Sequence, residues 1–174
     1  DEYQAKRTGF DDPEDLIRML RGAGVLDFRI AVETGKAEGF SVEDLRLQLQ
    51  EVGPDNTDSP IASWYPINSV DEWYETPAQL ASLIDNPQGY FSAARGLEAA
   101  EYEGGIYLLL YDDDTRSMSH KTGSKWSVTS AYQSSDQFGR PAVAFRLDAS
   151  GGSLMGRLTG PHVGEPMAII LDGQ

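Results

Sequence analysis

The sequence predicts an α+β fold in which a frame of strands and helices is interrupted by a long insertion. Three observations favour this class: a strand and helix pattern near the N-terminus, a strand–helix–strand order near the C-terminus, and separate helix and strand patterns between them. Hydrophobic residues make up 40% of the 174 residues, which is enough for a packed core and argues against disorder. The length allows one medium domain or two small ones.

The N-terminal block is predicted to contain a helix between two strands. Asp12 is a suitable N-cap, Pro13 fits the first helical position, and Gly22 is a typical stop signal. The apolar stripe of this helix consists of Leu16, Ile17 and Leu20. A strand is predicted over 25–32, and a short earlier strand over 3–7.

The C-terminal block has a similar order of elements. Residues 141–147 alternate as a strand that ends at Asp148, a helix follows over 149–159, and residues 166–171 read as a short apolar strand. The apolar stripe of the helix consists of Leu154, Met155 and Leu158. Asp172-Gly173 is a typical turn signal after the last strand.

The order of the two blocks matches a ferredoxin-like split β-α-β base whose middle has been opened by an inserted subdomain. We therefore expect a base over 1–33 and 126–174, incomplete at its C-terminal end, and a large α+β head over 34–125. The candidate hinge residues lie at the two junctions and are Gly35, Gly39 and Gly123. A few residues at such junctions can absorb the dihedral changes of a domain movement.

The insertion carries enough patterns for a small subdomain. Ser41 and Thr76 are placed to cap two helices, each followed by apolar residues at helical spacing. Two strand-like runs, 106–111 and 116–121, flank the polar residues 112–115. This arrangement predicts a β-hairpin with a polar tip.

The composition excludes several classes of function. A formal net charge of −14 repels phosphate backbones and anionic headgroups, so no nucleic acid is expected as a partner. The absence of cysteine excludes thiolate zinc sites and a cysteine nucleophile. The longest strongly apolar run, Ile106–Tyr111, is far shorter than the about 20 residues of a membrane-spanning helix.

No catalytic residue, cofactor or metal site is predicted. The acidic run Asp112–Asp114 could hold a hard cation or supply the acidic pair of a hydrolase, but it lacks the spacing of a calcium loop and suits a hairpin tip. His120 and His162 show no metal-ligand spacing. The run Ser150–Ser153 lacks a nucleophile elbow and a Walker lysine, and close packing of its glycines explains it better.

Four aromatic residues in the insertion are the candidate binding residues, and they are Trp64, Tyr65, Trp73 and Tyr74. They lie where the helix and strand patterns are weakest. Large amphipathic rings at a loop-rich surface are typical anchors for an unfolded peptide. The alternative is that they form the core of the insertion, and the sequence leaves both interpretations open.

Motifs at both ends of the chain resemble those of the SecD family. Residues 139–152 (GRPAVAFRLDASGG) and 167–173 (MAIILDG) are similar to the family's P-x-V-x-F-x-L strand, its small-residue helix and its A-I-x-L-D-G ending. Residues 24–30 (GVLDFRI), after the helix opened by Asp12-Pro13, are similar to its L-E-F-R segment, with Asp27 where glutamate is usual.

The resemblance implies the large first periplasmic region of SecD, a ferredoxin-like base with an inserted head. It implies a non-enzymatic part in preprotein export driven by the proton-motive force, through movement of the head and contact with the preprotein. The implied partners are an unfolded preprotein, SecF and the Sec channel, at the periplasmic face of the bacterial inner membrane. A scaffold that binds other translocase subunits is the alternative, and an acidic-pair extracytoplasmic hydrolase is a further one.

Overall fold

The computed structural model describes residues 26–120 and 125–173, and these confirm the α+β class. The strands of these ranges are β1 Leu26–Ile30, β2 Ala62–Pro66, β3 Ala99–Tyr102, β4 Gly105–Tyr111, β5 Ser117–Met118, β6 Val128–Ser135, β7 Pro141–Leu147 and β8 Met167–Leu171. The helices are α1 Val42–Val52, α2 Pro77–Asp85, α3 Pro87–Arg95 and α4 Ala149–Thr159. Short 3₁₀ turns cover Pro54–Asn56 and Val70–Glu72.

The strands pair in three antiparallel groups. A first sheet has the order β5-β1-β8, a second has the order β2-β4-β3, and β6 and β7 form a two-stranded ribbon. The chain after β1 continues into the second sheet, because the Val32 amide donates to the Leu109 carbonyl and the Glu98 amide donates to the Val32 carbonyl, both at 2.9 Å. The β1 segment therefore ties the two larger sheets together.

Two helices of the insertion begin at the capping residues predicted from the sequence. The Ser41 hydroxyl accepts a hydrogen bond from the Asp44 amide and opens α1. Thr76 and Gln79 form a reciprocal capping box at the start of α2. Both predictions are confirmed, because such caps depend on residues only three positions apart.

The C-terminal elements are also confirmed. The Asp148 carboxylate accepts a hydrogen bond from the Gly151 amide at 2.7 Å and caps α4. That hydrogen bond is the main reason why the pKa of Asp148 lies below its usual value. A β-carbon at Gly151 would meet the Leu147 Cβ at 2.9 Å, so the predicted close packing of a glycine holds at this position.

The core crosses the predicted boundary between base and head. One cluster of buried side chains joins Phe28 and Ile30 of β1, Trp126 before β6, and Trp64 and Leu109 of the second sheet. A second cluster consists of Ala31, Leu83, Tyr90, Phe91, Leu97, Ala99, Leu108, Leu110 and Ile170. The predicted subdomains thus share packing, and the division at 33/34 and 125/126 stays a prediction.

The hairpin predicted across residues 112–115 is wrong. β4 pairs with β2 and β3, whereas β5 pairs with β1. The Asp113 carboxylate accepts hydrogen bonds from the Thr115 amide at 3.0 Å and from the Arg116 guanidinium at 2.7 Å, and this turn sends the chain from the second sheet to the first. The tight hairpin that forms instead joins β3 to β4 through Glu103-Gly104, where φ is positive at both residues (49° and 78°).

Several predictions lie outside the described residues. They are the strand over 3–7, the helix that begins at Asp12, and the candidate hinge residue Gly123. Because that helix belongs to the proposed base, its ferredoxin-like split stays a prediction. None of the helices in the described ranges combines the length and the apolarity needed to cross a bilayer.

Candidate functional site: an apolar groove beside a buried arginine

An apolar groove of about 350 Å³ runs between the second sheet and β8. Residues of β2, of the segment 67–73, of β4 and of β8 line it. Two of the four candidate binding residues, Tyr65 and Trp73, belong to this lining. Among the described residues that line the groove, Glu72 is the one ionised side chain. The groove therefore offers aromatic and aliphatic contacts with a weakly acidic rim.

Trp64 and Tyr65 are neighbours on β2, so their side chains point to opposite faces of the sheet. Trp64 is buried, with 4% of its surface exposed, and its indole N–H donates to the Leu45 carbonyl at 3.1 Å. The structure thus places Trp64 in the core. Tyr65 lies on the other face and forms part of the groove wall.

Trp73 and Tyr74 also separate. The Trp73 ring is half-buried and packs edge-on against Phe91, with ring centroids 4.9 Å apart. Its free face lines the groove, and its carbonyl accepts hydrogen bonds from the Tyr90 hydroxyl and from Arg95. Tyr74 is also half-buried, but it lies outside the groove, and its hydroxyl donates to Asp71 at 3.1 Å. The structure brings Tyr65 and Trp73 together, but not Trp64 or Tyr74.

A buried cation stands behind the groove wall. Arg29 of β1 is fully buried, and its guanidinium donates to the Tyr111 carbonyl at 3.1 Å and to Asp27 at 3.2 Å. It also forms an ion pair with Asp112, which follows β4. The guanidinium carbon lies 4.8 Å from the centroid of the Tyr65 ring. Arg29 thus joins the first sheet to the second and contacts the groove wall from inside.

Asp112 holds the other end of the Tyr65 side chain. Its carboxylate accepts hydrogen bonds from Arg29, from the Ser63 hydroxyl and from the Tyr65 hydroxyl, the last at 3.3 Å. Burial raises the pKa of the Tyr65 hydroxyl, and the nearby Asp112 carboxylate raises it further, against the opposing effect of Arg29. Tyr65 therefore stays a neutral donor, held by its ring and by its hydroxyl.

The acidic run has structural roles in these contacts. Asp112 neutralises Arg29, and Asp113 closes the turn before β5. Partial burial alone would raise the pKa of Asp113, but the hydrogen bonds from Thr115 and Arg116 outweigh it, so the pKa lies below its usual value. Such a carboxylate is a poor general acid. The described ranges contain no group of three or more histidine, cysteine or acidic residues that could hold a metal ion.

The two histidines have separate neighbours. His120 stacks on Trp126, with ring centroids 4.3 Å apart. The Nδ1 atom of His162 lies 2.9 Å from the Glu165 carboxylate.

Two of the candidate hinge glycines lie within the described residues. Gly35 and Gly39 have φ angles of 74° and 84°, in the region that favours glycine. Hydrogen bonds run from the Thr34 amide to the Gly96 carbonyl at 2.8 Å and from the Gly35 amide to Glu98 at 3.3 Å. The first junction is therefore hydrogen-bonded to the end of α3 and to the segment before β3.

Arg29 and the edge of β8 were not among the candidate residues predicted from the sequence. The sequence predicts a strand over 25–32, and all five residues of β1 are buried, including the charged Asp27 and Arg29. Asp27 and Arg29, opposite charges two residues apart on one face of a predicted strand, are a signal for such an ion pair. No local pattern shows that Asp112, 83 residues later, joins them.

Comparison with known proteins gives matches over different parts of the chain. The family model of the SecDF P1 head subdomain matches residues 116–174. Protein translocase subunit SecD of Rhodobacter capsulatus is 47% identical over 93 residues, which are 53% of this chain and 16% of that protein. Protein translocase subunit SecD of Rhodothermus marinus is 26% identical over 206 residues, covering 94% of this chain and 32% of that protein. No solved structure matches the chain.

The matches extend the resemblance seen in the motifs. The motifs of residues 139–173 lie inside the segment 116–174 that the head model matches. That segment includes all of the residues 126–174 that the sequence predicts as base, and the boundary between the two subdomains stays a prediction. The chain spans at most about a third of the length of the curated relatives it matches.

Proposed function

This chain belongs to the SecD family, and on that premise we propose that it is an extracytoplasmic domain of a SecD subunit that assists preprotein export. It acts at the periplasmic face of the bacterial inner membrane, with SecF and the Sec channel as partners and the proton-motive force as the source of energy. Its own part is to contact the unfolded preprotein and to move with it. It catalyses no reaction and needs no cofactor.

The observation that supports preprotein contact is the groove lined by Tyr65 and Trp73. Rigid aromatic rings offer large contact areas at a low cost in conformational entropy. Arg29 and Asp112 hold the Tyr65 ring in place, so little ordering remains to be done when a segment binds. Apolar contacts of this kind tolerate many sequences, as a domain that handles diverse preproteins requires.

Movement belongs to the same proposal, with a ferredoxin-like base over 1–33 and 126–174 and a head over 34–125. The positive φ angles of Gly35 and Gly39 support a specialised backbone at the first junction. A swing at Gly35 has to break the hydrogen bonds that tie Thr34 and Gly35 to residues 96–98. A crosslink that locks head to base is therefore expected to impair export, and undiminished export with the joint locked contradicts this part of the proposal.

The test of preprotein contact is photocrosslinking in the full-length protein during translocation. A photoreactive phenylalanine derivative replaces Tyr65 or Trp73, and the matched control carries it at Tyr132, which is 45% exposed on β6 and outside the groove. We expect adducts with the preprotein from the two groove positions and not from position 132.

The same experiment separates the alternative function. Adducts only with other translocase subunits indicate a scaffold rather than a preprotein-handling domain. Absence of preprotein adducts at both groove positions, with export intact, contradicts the proposed function.

A further inference from the structure

We propose that the tip of the β6–β7 ribbon docks into a folded partner protein. The Phe138 ring enters an apolar pocket for one aromatic side chain, and Arg140 donates to acceptor oxygens at the rim of that pocket. The inference rests on the proposed function only for the source of the pocket, a folded subunit of the translocase. It goes beyond that function because it assigns a second contact, separate from the groove proposed for the preprotein.

The ribbon is anchored at one end and exposed at the other. Val128 and Phe145 pack against the buried cluster around Phe28, and the Phe145 and Phe28 ring centroids are 5.8 Å apart. β6 has eight residues, so its far end lies about 23 Å from Val128 at a rise of about 3.3 Å per residue. Residues 132–135 and 137–141 are exposed. The tip of the ribbon therefore lies away from the core.

The turn between the two strands, residues 136–140, is closely hydrogen-bonded. The Asp136 carboxylate accepts hydrogen bonds from the Phe138 amide at 2.8 Å, from the Arg140 amide at 3.0 Å and from the Arg140 guanidinium at 2.7 Å. The Asp136 amide donates to the Arg140 carbonyl at 2.9 Å, and the Gly139 amide donates to the Asp136 carbonyl at 3.0 Å. Gly139 has a φ of 77°, which other residues rarely adopt. The conformation of the turn is thus fixed before any partner binds.

This turn presents a large apolar side chain to solvent. Phe138 is 73% exposed, more than any other aromatic residue of the described ranges. The Arg140 guanidinium carbon lies 5.3 Å from the centroid of its ring and restricts the orientation of the ring. The turn uses the backbone of Phe138 and not its side chain, so the ring is available to a partner. A rigid ring on a preorganised turn loses little conformational freedom when it binds.

The charge of the ribbon differs from that of the rest of the chain. Residues 126–145 contain one acidic and one basic side chain, Asp136 and Arg140, so their charges cancel and the formal net charge of −14 belongs to the other residues. The hydrogen bond from the Arg140 amide is the main reason why the pKa of Asp136 lies below its usual value, so the pair stays ionised at neutral pH. The ribbon therefore approaches a partner without the repulsion that an acidic surface meets elsewhere on this chain.

Arg140 defines the chemistry expected at the rim of the pocket. Its Nε atom donates to Asp136, whereas its two terminal nitrogens have no hydrogen-bond partner among the residues that the structure describes. The side chain is 73% exposed. A guanidinium presents its N–H groups in a fixed fork that suits planar acceptors. Backbone carbonyls or a carboxylate beside the apolar pocket fit that fork.

The shape and the charge favour a folded protein over other occupants. A convex, preformed tip needs a concave surface, and an unfolded preprotein has no preformed pocket and has to be ordered on binding. Anionic headgroups are repelled by the net charge of −14. A single ring also buries less apolar surface than a myristoyl chain, whose own membrane binding is only marginal.

The first test is photocrosslinking in the full-length protein in its membrane. A photoreactive phenylalanine derivative replaces Phe138, and the matched control carries it at Thr129, which is exposed near the anchored end of β6. We expect position 138 to form an adduct with one folded subunit, both with and without a preprotein, at a yield at least about tenfold above that of position 129.

The second test measures the affinity of the purified full-length protein for the subunit that the crosslink identifies. Phe138→Ala is expected to weaken binding at least about tenfold. Val163→Ala removes another exposed apolar side chain, 86% exposed and outside the ribbon, and is expected to leave the affinity unchanged. Asp136→Ala keeps the ring but removes the acceptor that fixes the turn, so it is expected to weaken binding as well. Thermal melts of the three variants check that the fold is retained.

Three outcomes overturn the inference. No adduct from position 138 removes the docking contact. Adducts only with the preprotein, only with lipid or only with this chain itself give the tip a different occupant. An affinity that is unchanged by Phe138→Ala or by Asp136→Ala shows that a preformed aromatic tip is not what binds. None of these outcomes affects the proposed function, which fails instead if positions 65 and 73 form no adducts with the preprotein.

Discussion

Replacing Arg29 with methionine keeps most of the side-chain length but removes the charge between Asp27 and Asp112. Arg29 is fully buried, and the two carboxylates are 9% and 21% exposed, so the variant leaves two like charges with little solvent. Breaking a buried ion pair in this way costs about 3–5 kcal/mol. Because Asp112 keeps some contact with water, we expect the lower part of that range, about 3 kcal/mol.

The free energy of unfolding is measured by urea titration at about pH 7, followed by tryptophan fluorescence and circular dichroism. The matched control is Arg140→Met. Arg140 pairs with Asp136 at 2.7 Å, a shorter distance than Arg29 to Asp27, but its side chain is 73% exposed. An exposed ion pair contributes about 0–1 kcal/mol, so the control is expected to lose less than about 1 kcal/mol. Comparing the two losses of stability separates the effect of burial from the effect of the distance between the charged groups.

A triple variant tests the reason for the loss. Arg29→Met combined with Asp27→Asn and Asp112→Asn removes the two uncompensated charges as well as the cation. Since the single change is costly because it leaves those charges unpaired, the triple variant is expected to be more stable than Arg29→Met alone. A loss below about 1 kcal/mol for Arg29→Met, or a triple variant no more stable than it, refutes the reasoning.

Three other perturbations follow from the packing. Trp64→Ala is expected to cost about 3–5 kcal/mol because the ring belongs to the core, whereas Tyr74→Ala, at a half-buried position outside the core, is expected to cost about 1 kcal/mol; equal losses contradict this assignment. Gly151→Ala is expected to destabilise by about 1–3 kcal/mol because its Cβ meets Leu147, whereas Gly156→Ala, with nothing within 4 Å, stabilises α4 by about 1 kcal/mol; thermal melts of both variants measure the difference. Asp113→Asn is expected to destabilise at about pH 7, and because the folded-state pKa of Asp113 lies below 3.8, its contribution is present above that pH and is lost as the pH falls through the folded-state value; urea titrations across this range check that the two proteins converge in acid.

Elements with local signals were predictable from the sequence. Ser41, Thr76 and Asp148 each cap a helix through a group three residues further on, so a short window contains the whole cause. The alternation over 141–147 likewise predicts β7 at its observed bounds. The pairing partners of the strands were harder to predict, because strand pairing depends on residues that are distant in the sequence. The run after Asp113 pairs with β1, about 90 residues earlier, rather than with the adjacent β4.

The candidate site was only partly predictable, because it too depends on contacts between distant residues. The sequence pointed to Trp64, Tyr65, Trp73 and Tyr74 as a group, and two of them line the groove. Their separation depends on β2 being a strand, which sends adjacent side chains to opposite faces. The contacts of Arg29 with Asp27, Tyr111 and Asp112 join residues that meet only in the folded chain. The groove likewise has no signature within a short window, because its walls come from β2, β4 and β8.

The groove and the buried cation both depend on β1. This strand pairs with β8 over five residues, carries the arginine behind Tyr65, and continues into the second sheet at Val32. A force along β8 loads its ladder with β1 in shear, so several hydrogen bonds carry the force together rather than one after another. From β1 the load passes to the second sheet through the Arg29–Asp112 pair and the Val32–Leu109 hydrogen bond. A force applied to β8 therefore reaches both of the larger sheets through β1.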